Sequence, residues 1–301
     1  MERRDFLATL SSLLLGSARS EVTARNLMAA GRASGPHRFK GPCGLELYSV
    51  RNQLDKDVPG TLQTVAKAGY TDVEAVWDHW GHVTAEQLGD ACKQAGLNLV
   101  SLYYPDFQFQ QRLDEIIQSA HHVGARYLIC GNVAGAFEGK PVPFENFKQA
   151  GATFNQWGSK IHASGLQLAY HNHDYEFRLY DGKPAYDTLI AETDPKLVAF
   201  EMDVFWVKRG GQDPVAYLKR HPDRFQVLHL KDMRAGTPVG DFAVGTSDEA
   251  SVILGTGIID FPPILRAAEQ AGVKLYFVED ESAEAPQNIG PSLEYLKKVR
   301  F

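Results

Sequence analysis

One phrase recurs along this chain and constrains its fold more than any other feature: a helical stretch that ends in glycine, followed within a few residues by a short apolar strand. It occurs as Ala68-Gly69-Tyr70 before Asp72 to Trp77, and as Ala95-Gly96 before Leu97 to Tyr104. It returns as Val123-Gly124 before Arg126 to Cys130, Ser164-Gly165 before Leu166 to Tyr170, and Ala271-Gly272 before Val273 to Val278. Glycine after a helix takes the left-handed conformation cheaply, so each phrase reads as the joint between a helix and the next strand. Two more strands, Leu197 to Phe205 and Phe225 to Leu230, follow the turn signals Thr193-Asp194-Pro195 and His221-Pro222-Asp223, and Leu45 to Val50 supplies the first. The strands are continuous apolar runs, as expected when both faces are buried.

Eight strand–helix units within a chain of 301 residues predict an α/β fold, a single (β/α)8 TIM barrel, rather than a doubly wound sheet. No G-x-G-x-x-G follows the first strand, which argues against dinucleotide binding. The stretch Arg234 to Thr256, rich in Gly, Ser and Asp, reads as an extended active-site loop after strand seven. Thirty-one Lys and Arg against 37 Asp and Glu leave a net charge of −6, with no basic block to grip nucleic acid phosphates. Three scattered cysteines exclude a disulfide framework or a thiolate zinc site.

The N-terminus reads separately. Glu2-Arg3-Arg4-Asp5-Phe6-Leu7 precedes an apolar run to Gly16 that is too short to anchor in a bilayer, and small residues follow. Adjacent arginines before x-Phe-Leu resemble a bacterial twin-arginine signal, which hands folded proteins to the twin-arginine export machinery. The expected organisation is an export signal over 1–24, a leader over 25–43, and the barrel over 44–301, in a periplasmic or secreted protein.

In a barrel of this kind the chemistry sits where strands end. Strand five ends Tyr170-His171-Asn172-His173-Asp174-Tyr175-Glu176, strand six Glu201-Met202-Asp203, strand seven His229-Leu230-Lys231-Asp232, and strand eight Val278-Glu279-Asp280. Four successive strands thus deliver His, Asp, His and Glu to one rim. Such a set suits one divalent metal ion, Mn, Co, Zn or Fe. Lys231 is placed to stabilise a developing enolate, or else to pair with Asp232 or Glu201. Glu74 and Glu176 are candidates to hold sugar hydroxyls. Aromatic residues crowd the same rim: Trp77, His79 and Trp80, then Tyr103 and Tyr104, then Phe205 and Trp206. With a few polar groups they suit a small carbohydrate. No Gly-rich cradle or Arg cluster supports a phosphorylated one.

The order of strands, with Asp203, His229 and Glu279 at their ends, resembles the xylose isomerase-like barrels of the sugar phosphate isomerase/epimerase superfamily, and the resemblance spans residues 44 to 299. Phrases such as Tyr-His-Asn-His-Asp-Tyr-Glu-Phe and Glu-Met-Asp-Val-Phe-Trp-Val look like a secreted branch of it. The resemblance implies four metal ligands, Glu, Asp, His and Glu. The last three carry over to Asp203, His229 and Glu279, and His171 stands where the family has its first Glu. His173 then touches substrate or moves a proton, with Glu279 as its acid–base partner.

The implied activity is a metal-dependent isomerase or epimerase that abstracts a proton next to a carbonyl. A lyase or hydratase on a 3-keto-sugar or 3-keto-glycoside begins with the same enolate, and the signal and His171 favour it. A metal-dependent endonuclease is disfavoured by the absence of a basic groove. A non-catalytic sugar-binding protein is the remaining reading.

Overall fold

The computed structural model describes residues 36–76, 83–240, 242 and 248–301. The export signal expected over 1–24 and most of the leader lie outside them, as do Trp77, His79 and Trp80. Arg38–Phe301 forms a compact unit. Its eight parallel strands are β1 (Cys43–Glu46), β2 (Asp72–Val76), β3 (Asn98–Tyr104), β4 (Tyr127–Cys130), β5 (Gln167–His171), β6 (Val198–Asp203), β7 (Phe225–Leu230) and β8 (Leu275–Val278). They pair in sequence order and close where β8 meets β1, with helices between them: a single (β/α)8 barrel. The five glycines of the recurring phrase all have positive φ, so the joints form as the sequence requires. The unit begins upstream of residue 44, because Arg38 bridges Arg300 and Phe39 packs edge-on against Tyr276. No helix among the described residues is long and apolar enough to cross a membrane.

Strand alternation divides the apolar residues into two cores. Leu168, Tyr170, Phe200 and Leu228 point outward and pack beneath the helices. Ala169, Ala199, Val227, Leu275 and Phe277 point inward and, with Val100, Tyr127 and Ile129, plug the barrel. Two residues further along the same inward faces stand His171, Glu201, His229 and Glu279, so a polar layer rests on an apolar floor.

Two strands end earlier than their apolar runs suggest. β1 stops at Glu46, whose carboxylate accepts the amide of Tyr48 at 3.0 Å and starts a 3-10 turn over Leu47–Val50. β6 stops at Asp203, which caps the helix Val204–Arg209. After β7, Asp232–Met233 pairs antiparallel with Ser251–Val252. The Asp232 carboxylate accepts the amides of Met233, Gly255, Gly257 and Ile259, tying both ends of the expected long loop to one point.

Candidate metal centre

His171, Asp203 and His229 each bring one donor atom into a group no more than 4.8 Å across. All three are buried. Glu279 adjoins them, its Oε2 lying 2.9 Å from His229 Nδ1. Three of the four residues read from the strand ends therefore lie together, with His171 rather than His173 among them, and Glu279 stands beside His229.

The donor set fits a divalent cation. Asp203 Oδ1 accepts the amides of Phe205 and Trp206 at 2.7 and 3.1 Å. Its Oδ2 is buried with no hydrogen-bond partner among the described residues. His171 Nδ1 is held by Glu201 at 2.9 Å, which leaves Nε2 for the shared group. Two imidazoles and two carboxylates are ordinary ligands for Zn, Mn, Co or Fe.

Burial and charge set the protonation of these groups. Burial raises the Asp203 carboxyl to about 7 against the pull of Lys231. Burial and then the Glu74 charge raise Glu201 to about 8, and the same two causes raise Glu46 well above the carboxylate range. Glu279 goes the other way: burial is outweighed by Lys231 and His229, which hold it well below its ordinary value. His229 is raised because Glu201, Glu279 and Glu74 overcome its burial. His171 is depressed by burial and by His229, and burial with Lys231 takes His173 down to about 3. His173 is thus a neutral imidazole across the physiological range.

The remaining candidates divide. Lys231 is wholly buried, with Nζ 3.9 Å from Glu279 Oε2. Its ion-pair partners are Glu281 and Glu279, not Asp232 or Glu201. It also lies over the rings of Phe205 and Trp206, at 4.9 and 5.1 Å. His173 sits beside this cation among Trp206, Tyr175 and Phe137, and its Nδ1 has no hydrogen-bond partner among the described residues. Tyr103 points inward, edge-on to His171.

Three expected substrate contacts are corrected. Glu74 is fully buried and bonds His229 Nε2 at 2.8 Å, so it supports a ligand instead of meeting sugar. Glu176, also fully buried, accepts the His173 amide at 3.0 and 3.1 Å and the Tyr170 hydroxyl at 2.8 Å. Tyr104 follows the alternation outward and packs edge-on against Phe109. His79 lies outside the described residues. Glu46, Glu201 and Glu281 were not among the expected site residues. Glu201 had a signal, since it stands two residues before Asp203 and so shares its face.

Comparison with known proteins agrees with this architecture. The xylose isomerase-like TIM barrel model matches residues 62–299. Inosose dehydratase from Geobacillus thermodenitrificans is 26% identical over 239 residues, which is 71% of this chain and 78% of the relative. A sugar phosphate isomerase/epimerase from Parabacteroides distasonis superposes with a TM-score of 0.70 at 25% identity, covering 87% of this chain and 95% of that one. The IolI protein, solved with a bound zinc atom, superposes with a TM-score of 0.66 at 14% identity, covering 84% and 95%, a likeness of fold alone. With most of its length matched, the chain belongs to the xylose isomerase-like TIM barrel family.

Proposed function

We propose that this protein is a divalent-metal lyase that dehydrates, or otherwise eliminates from, a small keto-sugar or keto-cyclitol by removing the proton next to its carbonyl. The observation that carries the reading is the asymmetry of the site. A pair of carboxylates is what an epimerase of this family uses to work both faces of a carbon. Here the β8 side offers the ionised Glu279, while the β5 side offers His171 and the neutral His173. One carboxylate held ionised and one neutral imidazole suit removal of a proton from one carbon and departure of a hydroxyl from the next. Inosose dehydratases among the relatives support this chemistry.

Held by His171, Asp203, His229 and Glu279, a divalent ion would polarise the substrate carbonyl and so acidify the neighbouring C–H. Glu279 takes that proton, and Lys231 and His229 keep it ionised for the purpose. The Lys231 ammonium, raised by Glu279, Glu281 and Asp203 in spite of its burial, offsets the negative charge that develops on the carbonyl oxygen. His173, a neutral imidazole, can hydrogen-bond the departing hydroxyl, and the proton taken by Glu279 is returned to that hydroxyl, which leaves as water. The aromatic rings of Trp206 and Tyr103 exclude water.

The test is to load the protein with Mn, Co or Zn and offer inosose, 3-keto-sugars and 3-keto-glycosides, reading product masses. A product lighter by one water, or a released aglycone, is expected. Retained mass with inverted or shifted stereochemistry overturns the lyase in favour of the isomerase or epimerase, the reading favoured by the Parabacteroides neighbour. With Glu279→Gln, solvent deuterium should enter the carbon next to the carbonyl roughly 10²–10⁴ times more slowly.

The proposal includes export through the twin-arginine route. Replacing Arg3 and Arg4 by Lys should leave the protein inside the cell, and undiminished periplasmic recovery rejects it.

A further inference from the structure

The far nitrogens of both histidine ligands end on buried carboxylates, His171 hydrogen-bonded to Glu201 and His229 to Glu74, with Glu201 within ion-pair distance of both. His171 Nδ1 lies 2.9 Å from Glu201 Oε2, and His229 Nε2 lies 3.3 Å from Glu201 Oε1. Glu74 Oε1 stands 2.8 Å from that same His229 nitrogen. Glu201 and Glu74 are wholly buried, so no water competes for these contacts. Strand register explains the arrangement: Glu201 is the β6 partner of His171 on β5, and it precedes Asp203 by two residues on the inward face.

A neutral imidazole carries one proton, and a carboxylate at one ring nitrogen holds the proton there. In His171 the lone pair is then left on Nε2. His229 has a carboxylate at each nitrogen, Glu279 at Nδ1 and Glu74 at Nε2, so its Nδ1 lone pair is freed only when Glu279 turns to the ion and the proton stays with Glu74. We infer that Glu201 is the positioning residue of the metal centre: its Oε2 sets the tautomer and ring plane of His171 by a hydrogen bond, and its Oε1 lies in ion-pair contact with the far nitrogen of His229, whose hydrogen bond goes to Glu74. The inference rests on the metal-centre reading above. It also accounts for the second group of close donors, Glu46, Glu74 and His229. In it Glu74 is the acceptor for the His229 proton, not the ligand of another ion.

The experiment uses the full chain, stripped with a chelator and titrated with Co(II) and Zn(II). Glu201→Gln keeps the size but presents one acceptor oxygen and an amide that must face a ring nitrogen as a donor. The wild type should bind one ion per chain. The variant should bind roughly 10–100-fold more weakly, with a changed Co(II) visible spectrum, while its metal-free thermal midpoint stays near that of the wild type. Glu201→Asp, which keeps the charge but cannot span both rings, should fall between. Proton-coupled ¹⁵N spectra of the zinc-loaded wild type should show His171 protonated at Nδ1 and His229 at Nε2, a readout that survives if the variants do not fold. Unchanged affinity and spectrum in Glu201→Gln, or the opposite tautomers, overturn the positioning role and leave the metal centre standing. Two ions per chain overturn the role by making Glu74 or Glu201 a ligand. A wild type that binds no ion overturns both readings.

Discussion

Tyr103 stands edge-on to His171 with ring centroids 5.3 Å apart, and its hydroxyl donates to the carbonyl of Gly131 at 3.2 Å. The ring therefore lies pressed between a metal-ligand candidate and the residue that follows β4. A Cβ at Gly131 would overlap the Tyr103 ring itself. Gly131→Ala should displace Tyr103 and tilt His171, costing about 1–3 kcal/mol of stability and weakening metal binding. Urea unfolding and a cobalt titration of the same preparation check both effects.

Asp203 does two jobs with its two oxygens, and substitution can separate them. Asparagine keeps an acceptor for the amides of Phe205 and Trp206 but loses the anionic ligand. Asp203→Asn should therefore lose the ion with the helix Val204–Arg209 still capped. Asp203→Ala should lose the ion and about 0.5–2 kcal/mol more from the cap. Metal analysis with denaturant unfolding of the metal-free proteins distinguishes the pair.

Removing the buried cation Lys231 leaves Glu279 and Glu281 without their shared countercharge. Lys231→Met should destabilise the metal-free protein by roughly 3–5 kcal/mol. Adding Glu281→Gln should recover part of the loss, because it removes one of the stranded charges. A double-mutant cycle in chemical denaturation measures the coupling.

Burial raises the Glu176 carboxyl from 4.5 to about 8. Below the lower value both folded and unfolded chains carry the proton. Between the two values only the unfolded chain ionises, so folding loses stability as pH rises and levels off above about 8. Glu176→Gln abolishes this titration. From pH 4.5 to 8 the wild type should lose roughly 2–5 kcal/mol relative to the variant, as read from urea midpoints across pH.

The barrel was legible because its joints are marked chemically: Gly96 and Gly124, for example, take a backbone conformation that other residues resist. Asp203, His229 and Glu279 stood out in the sequence because each is a polar residue at or near the end of an apolar strand. Depth along a strand leaves no such mark. Residues two apart share a face, so alternation alone does not separate His171 from His173, and it does not say that Glu74 lies below the rim while Lys231 lies on it. Strand ends were overrun where a side chain, as in Glu46 and Asp203, turns the backbone by capping instead of by glycine or proline. The pairing of Lys231 with Glu281 and the hydrogen bond of Glu201 to His171 depend on neighbours distant in the chain, which a single strand does not announce.

The four amides gathered by Asp232 bring Met233 together with Gly255, Gly257 and Ile259, so the two ends of the segment after β7 are fastened at one carboxylate. His229 and Lys231 stand just before the fastening. A chain fastened this way can change in length between its two fastenings while His229 and Lys231, on the strand side of the knot, keep their places.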